Sequence, residues 1–174
     1  MTTPTPHSIP VIRTPSARFM LSHPAHILAQ GFGSGLSRMM PGTSGTLLGW
    51  LMFAVFTQRW PEFFTPIHWV WIIGIGFIVG VWACHITGKN LGAPDHGSMV
   101  WDEIIAFWLV LLLLMPGSIT TQCWAFLVFR FFDMVKPPPI RYFDQRFKGG
   151  FGVMFDDIVA AFFTLLTFSL WRHL

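Results

Sequence analysis

The chain has 174 residues, of which 53% are hydrophobic and only 11% are charged. A soluble domain carries roughly 25% charged residues, so this composition argues against a water-soluble globule and predicts one polytopic membrane domain. The formal net charge of +3 at pH 7 comes from few basic residues, and their distribution among the loops fits membrane topology better than a nucleic-acid partner.

The N-terminal segment, residues 1–17, is rich in Thr, Pro and Ser. It has no early apolar core, which argues against a signal peptide and predicts a disordered tail. The membrane domain would then comprise residues 18–174. Within it, residues 23–29 form a short apolar run with Pro24 near its start, which predicts an interfacial helix ending at Gly31.

Five apolar stretches follow this segment, and each is shorter than the ~20 residues that a standard membrane span needs. They run over residues 46–56, 67–83, 104–115, 122–135 and 158–171. The sequence therefore predicts an all-α integral membrane helical bundle of about four or five short membrane helices, tilted or partly inserted, with cytoplasmic catalytic loops.

The charged residues indicate which side the loops occupy. If all five stretches cross, residues 31–45, 84–103 and 136–157 share one face. Basic residues are concentrated on that face and in the tail: Arg13, Arg18, Arg38, Lys89, Lys136, Arg141, Arg146 and Lys148. The opposite face carries Arg59 and Arg172. Because Lys and Arg are enriched in cytoplasmic loops, this face is predicted to be cytoplasmic.

The acidic residues show the same asymmetry, although acids contribute little to topology. Of the eight in the chain, seven lie on the predicted cytoplasmic face or at its boundary: Asp95, Asp102, Glu103, Asp133, Asp144, Asp156 and Asp157. A shared cation is the simplest cause of this clustering.

Two glycine-rich segments precede the first apolar stretch, at residues 31–35 and 41–46. Glycines let the backbone approach an anion closely, and a helix beginning at Thr46 would offer free N–H groups. These segments could bind phosphate through Gly33, Ser34 and Thr43. The alternative is a flexible turn that leads into a membrane helix.

A polar segment leads into the third apolar stretch. Asp102 and Glu103 are helix neighbours and point about 100° apart, so one could face the bundle while the other caps the helix or makes a supporting hydrogen bond. Carboxylates suit Mg²⁺, although acids at a helix N-terminus also satisfy the helix dipole. His96 could be a general acid or base, or could only make a hydrogen bond within its loop.

The fourth stretch contains Arg130, Asp133 and Lys136. Arg130 and Asp133 are spaced i, i+3 and share a helix face. An Arg in an apolar helix costs at least ~2.5 kcal/mol on insertion scales, so it is a candidate functional residue; the alternative is a structural ion pair with Asp133. Together Arg130 and Lys136 suit a phosphate group near a metal.

The fifth stretch opens with two acids. Asp156 is predicted to be an N-cap, and Asp157 would point inward because small residues follow it at helical spacing. No thiol-phosphatase loop, aspartyl-phosphate signature or serine elbow is present, which leaves metal-assisted attack by water. A membrane transporter that uses intramembrane Arg and Asp is the alternative, and it predicts acids near mid-span.

Five ordered motifs resemble the phosphatidylglycerophosphatase A family over nearly the whole chain. They are Gly31–Leu36; residues 41–45; residues 95–98 with Trp101, Asp102 and Glu103; residues 130–133 with Lys136, Pro137 and 139–141; and residues 156–160. The resemblance implies removal of the terminal phosphate of phosphatidylglycerophosphate to give phosphatidylglycerol, with Mg²⁺, in the bacterial cytoplasmic (inner) membrane. Two departures from the family pattern, at Ser37-Arg38 and Ala161, remove no carboxylate.

The residues and the resemblance together give one predicted site that faces the cytoplasm. The expected catalytic residues are His96, Asp102, Glu103, Asp133 and Asp157. The expected Mg²⁺ ligands are Asp102, Glu103, Asp133, Asp156 and Asp157. The expected phosphate-binding residues are Gly33, Ser34, Thr43, Arg130, Lys136 and Arg141. The expected partners are the phospholipid substrate and membrane lipid.

Overall fold

The computed structural model describes residues 13–138, 147 and 149–171, and all regular structure in these ranges is helical. The elements are α1 (Ala17–Met20), α2 (Pro24–Ala29), a 3-10 segment (Gly31–Leu36), α3 (Pro41–Arg59), α4 (Pro66–Leu91), α5 (Trp101–Leu113), α6 (Ile119–Val135) and α7 (Gly149–Trp171). The all-α prediction is confirmed. Most of the predicted tail and Arg141 lie outside the described residues.

Local sequence signals set most of the helix ends. Proline occupies the first helical position of α2, α3 and α4, where its missing N–H costs nothing. Ser118 caps α6, and its hydroxyl accepts the Thr121 N–H at 3.2 Å. Gly92 ends α4 in the left-handed conformation with φ 78°. Helix α6 ends at Val135, with Lys136 at its C-cap and Pro137, which cannot continue the helix, directly after it.

Helix α3 begins at Pro41, so the expected start at Thr46 is wrong. The glycines that made this segment resemble a loop are instead needed where α3 packs on the start of α5. A Cβ on Gly45 would lie 2.6 Å from Val100 Cβ. Tertiary packing here outweighs the low helix propensity of glycine.

Helix α7 likewise begins at Gly149, about two turns before Asp156. The prediction that Asp156 caps this helix is therefore wrong. A Cβ on Gly150 would lie 2.0 Å from the Val81 carbonyl oxygen, so glycine allows α7 to contact the backbone of α4.

Helix α5 lies at the centre, with α3, α4, α6 and α7 packed around it. Two of its side chains bond to neighbouring helix backbones. Trp101 Nε1 donates to the Gly76 carbonyl at 2.9 Å, and Trp108 Nε1 donates to the Gly49 carbonyl at 2.7 Å. Both acceptors are glycines, which lets each indole reach the backbone.

The five long helices alternate in direction. Helices α3, α5 and α7 start at the end of the bundle where α4 and α6 finish; we call this the acidic end because Asp102, Glu103, Asp133, Asp156 and Asp157 lie there. The contacts that fix these directions are Gly49 with Ile104, Phe126 with Phe107, Trp69 with Trp108, and Gly80 with Trp101 and Met154. Helices far apart in sequence therefore bring their acidic residues to one end.

The outer faces of the bundle are apolar. Exposed apolar side chains on the outward faces of α3, α4, α6 and α7 include Leu51, Val55, Val70, Trp71, Ile75, Ile78, Leu127, Phe131, Phe162 and Leu166. Within the described residues, two helices, α4 and α7, are long and apolar enough to cross a membrane. This number is lower than the four or five spans expected, and it hints at membrane association.

Candidate active site

The first turn of α5 carries two buried acids. Asp102 is buried, Glu103 contacts Arg130 inside the bundle, and Val100 holds the N-cap position. Of the two alternatives for the second acid, capping of the helix is therefore wrong and a supporting contact is the one observed. Burial and the negative charge of Asp133 raise the pKa of Glu103 to about 8, although Arg130 opposes the shift. Burial and the neighbouring Glu103 raise the pKa of Asp102.

Arg130 joins α6 to this pair of acids. Its Nη1 lies 3.4 Å from Glu103 Oε1 and also donates to Asp133 Oδ2. The predicted i, i+3 contact between Arg130 and Asp133 is thus confirmed. The three side chains are about one-tenth exposed, so the guanidinium is held by two carboxylates in a nearly dry environment.

The ends of α6 and α7 add a second ion pair. Lys136 Nζ contacts Asp156 Oδ2, which accounts for Asp156 two turns inside α7. Asp157, Ala160 and Thr164 are all buried on one side of α7, as their spacing predicted. The small side chains on that face allow the close packing that places Asp157 inside the bundle.

The N-terminus of α3 adjoins the Arg130–Glu103 pair. A Cβ on Gly42 would lie 2.1 Å from Glu103 Oε1 and 2.9 Å from Arg130 Nη2. No side chain caps α3, and the first N–H groups of a helix have no partner within the helix itself. Thr43 Oγ1 is buried there without a hydrogen-bond partner. The turn can therefore offer donors to an anion.

Three buried carboxylate oxygens in the described residues have no hydrogen-bond partner: Asp102 Oδ1, Glu103 Oε2 and Asp157 Oδ2. In the same part of the chain, no three Asp, Glu, His or Cys side chains converge on one point as a complete metal cage. Mg²⁺ is usually bound by one or two carboxylates together with waters and substrate phosphate oxygens. One or two of these unpartnered carboxylates would suffice as protein donors to an ion of this kind.

Comparisons with known proteins identify the family of the chain. The family model described as phosphatidylglycerophosphatase A matches residues 27–172. This chain belongs to the phosphatidylglycerophosphatase A family. A protein named phosphatidylglycerophosphatase A from Escherichia coli (strain K12) is 43% identical over 145 residues, covering 83% of this chain and 81% of that protein.

A second relative with the same name, from Haemophilus influenzae, is 38% identical over 156 residues, covering 87% of this chain and 91% of that protein. No solved structure matches the chain.

His96 lies in the loop between α4 and α5. Its Nδ1 accepts the Ser98 N–H at 3.1 Å, and its carbonyl accepts the Met99 N–H at 2.8 Å. These bonds shape the loop that leads to the two acids of α5. The two bonds agree with the alternative that His96 makes hydrogen bonds within its loop, and a catalytic role for His96 stays a prediction.

The glycine-rich 3-10 segment makes mainly local contacts. Ser34 Oγ donates to the Gly31 carbonyl at 2.8 Å, and a Cβ on Gly33 would be nearest to Met20, at 3.7 Å from its sulfur. The described contacts do not connect Gly33 or Ser34 to the carboxylates. Their role in phosphate binding stays a prediction.

The sequence analysis missed a buried polar network behind the site. His26 Nδ1 bonds to Thr87 Oγ1 at 2.9 Å, and Asn90 Nδ2 donates to His26 Nε2 at 3.2 Å. On the same helix face, Gln30 Nε2 donates to Ser98 Oγ at 3.2 Å. The available signal was the i, i+4 spacing of His26 and Gln30 in a short apolar helix.

Proposed function

We propose that this chain hydrolyses the terminal phosphate monoester of phosphatidylglycerophosphate to phosphatidylglycerol and phosphate, with Mg²⁺ as cofactor and water as nucleophile. The names of the two relatives described above support the substrate. The observation that carries the chemistry is the set of orphaned carboxylate oxygens on Asp102, Glu103 and Asp157, together with the contact between Glu103 and Arg130. Anionic donors for a cation and a cationic donor for phosphate thus lie together.

Each group has a distinct role in this proposal. One or two of the carboxylates of Asp102, Glu103 and Asp157 would hold Mg²⁺ together with water and phosphate oxygens, and the ion would supply positive charge near the phosphate. Arg130 and Lys136 would bind the phosphate, and the α3 N-terminus would donate backbone N–H groups to it. The water oxygen attacks phosphorus, a carboxylate of the cluster takes its proton, and the phosphorus–oxygen bond to glycerol breaks. The leaving oxygen takes up a proton.

We further propose a multi-pass arrangement in the bacterial cytoplasmic membrane, with the acidic end facing the cytoplasm. Helix α4 has 26 residues and is about 39 Å long, enough to cross a hydrocarbon core of about 30 Å. Helix α5 has 13 residues, too few to span alone. Its enclosure by the other helices shields it from lipid, and their apolar outer faces support this placement.

The test is phosphate release by purified protein from several lipid phosphates, with and without Mg²⁺. Asp133→Asn keeps the side-chain shape but removes the charge that pairs with Arg130, so we expect phosphate release to fall at least about 100-fold while the protein still inserts. Glu62→Gln, an exposed acid outside the acidic end, is the matched control and should retain activity. Metal-independent turnover would overturn the mechanism, and an active Asp133→Asn variant would remove Asp133 from it.

A further inference from the structure

A shallow apolar groove of about 300 Å³ runs along the seam between α6 and α7. It is lined by Trp124, Leu127, Val128, Phe131, Phe132 and Thr167. Leu127 and Phe131 form exposed walls, with 55% and 56% of their surface accessible. Val128 and Phe132 are half-buried and form the floor.

Thr167 carries the hydroxyl group in the lining of the groove, and this hydroxyl is bonded within its own helix. Thr167 Oγ1 donates to the Phe163 carbonyl of its own helix at 2.8 Å. Its hydroxyl is therefore satisfied internally and needs no ligand. Since the rest of the lining is hydrocarbon and aromatic rings, the groove suits an alkyl chain.

The groove is continuous with the phosphate-binding end of α6. Phe132 lies one helical turn before Lys136, whose amine contacts Asp156 at the top of the same seam. Trp124 precedes Asp133 by nine positions, so the groove extends about 14 Å from the acidic end. This depth is close to half of a hydrocarbon core of about 30 Å, which is the depth of one leaflet.

We infer that this groove binds an acyl chain of the lipid phosphate monoester whose phosphate contacts Arg130 and Lys136. The inference rests on the proposed function, because it assumes that the acidic end binds that phosphate. Two cationic residues attract the doubly charged head group, and the seam below Lys136 then receives the chain attached to it. A lipid without a phosphate monoester lacks the head-group attraction, so it would enter the groove no more often than any other membrane lipid.

Substitution in the floor of the groove tests the inference by kinetics. Val128→Phe should fill the groove, and Val79→Phe makes the same change on the lipid-facing side of α4, where Val79 is 38% exposed. Phosphate release is measured with dioleoyl and dihexanoyl phosphatidylglycerophosphate in mixed micelles. We expect Val128→Phe to lower the kcat/KM preference for the dioleoyl substrate about tenfold, equal to about two lost methylene contacts. Equal preferences in both variants and the wild type would overturn the inference.

Photo-crosslinking gives a second readout that needs no turnover. Phosphatidic acid, a lipid phosphate monoester, and phosphatidylcholine are each prepared with a diazirine in the acyl chain. We expect phosphatidic acid to label α6 and α7 peptides of the groove several-fold more than phosphatidylcholine, and inorganic phosphate to compete. Equal labelling by both lipids would overturn the inference by showing bulk lipid only. Wild-type protein that hydrolyses no lipid phosphate, yet shows selective labelling, would refute the proposed function alone.

Discussion

At the scale of single residues, Gly42 decides how closely α3 approaches the Arg130–Glu103 pair. An added Cβ would overlap Glu103 Oε1 at 2.1 Å and Arg130 Nη1 at 3.1 Å. The overlapping atoms are the ends of flexible side chains, which can move without unfolding the helix. The absence of a side chain at position 42 is therefore a requirement of the site's geometry and contributes less to the stability of the fold.

We predict that Gly42→Ala lowers phosphate release at least about tenfold, because displacement of the ion pair by about 1 Å removes catalytic alignment. The thermal unfolding midpoint in detergent should change little. Phosphate release and thermal unfolding are measured on the same preparation.

Gly74→Ala is the matched control, since nothing lies within 4 Å of a Cβ at that position of α4. It should keep full activity and slightly raise stability, because alanine favours helix over glycine. A Gly42→Ala variant that unfolds instead of losing activity would show that the glycine serves packing.

At the scale of secondary-structure elements, the short helix α2 makes hydrogen bonds both to the C-terminal part of α4 and to the start of α5. His26 bonds to Thr87 of α4, and the Ala29 carbonyl accepts the Val100 N–H, at the N-cap of α5, at 2.8 Å. Because the acids of α5 follow directly, the position of α2 helps to fix their position. We therefore expect His26 to help position the first turn of α5 through α2, without contact to the carboxylates themselves.

This network predicts a pH dependence of stability. Burial and the neighbouring His23 lower the pKa of His26 below its ordinary value of 6.5. Below pH 6.5 the unfolded chain therefore binds a proton at His26 more readily than the folded chain does. The contribution of neutral His26 to the free energy of unfolding is complete above pH 6.5 and is lost as the pH falls below it. Denaturant unfolding in detergent between pH 5 and 8 should show this slope. His26→Gln should flatten it, and an identical slope in the variant would contradict the assignment.

Short-range patterns predicted the elements well because neighbouring residues determine them. The contact between Arg130 and Asp133 follows from helical spacing within α6, and the end of α6 follows from Pro137. The starts of α3 and α7 were missed because their glycines are helical only through contact with other helices. Helix propensity depends on neighbouring residues in the sequence, so it cannot predict contacts between helices that are far apart in the chain.

The sequence predicted which acidic residues lie in the candidate site, but it did not predict which basic residue each acid contacts. The acids could be grouped from loop position, since membrane-helix ends alternate between two faces. That Glu103 pairs with Arg130, and Asp156 with Lys136, depends on the rotation of packed helices. The metal ligands and the roles of Gly33, Ser34, His96 and Arg141 stay predictions.

At the scale of the whole molecule, the alternating helix directions place the N-termini of α3, α5 and α7 at one end. Each N-terminus carries a partial positive charge from the helix dipole. These charges offset part of the repulsion among the clustered carboxylates and also favour an anionic head group. The fold therefore stabilises the acids at this end and would also favour the phosphate in the proposed function.

The proposed orientation can be tested by cysteine accessibility in cells. Cys84→Ala and Cys123→Ser remove both free cysteines, and Gly97→Cys or Glu62→Cys then places one thiol at the acidic or the opposite end. Both positions are exposed, so neither substitution should disturb packing. An impermeant maleimide on intact cells should label the Glu62→Cys protein and reach the Gly97→Cys protein only after permeabilisation. Labelling of both in intact cells would contradict the crossing pattern.

The two indole bonds of α5 have a consequence for ligand binding. They hold the helix at Trp101 and Trp108, two turns apart. A roll of 100° or a slide of one residue would break both bonds at once. The two bonds therefore oppose rotation and sliding of α5 and fix the direction in which its first turn presents Asp102 and Glu103. Since α5 presents both acids from one firmly held turn, we expect a bound lipid to move the tips of long side chains such as Arg130 before it moves this helix.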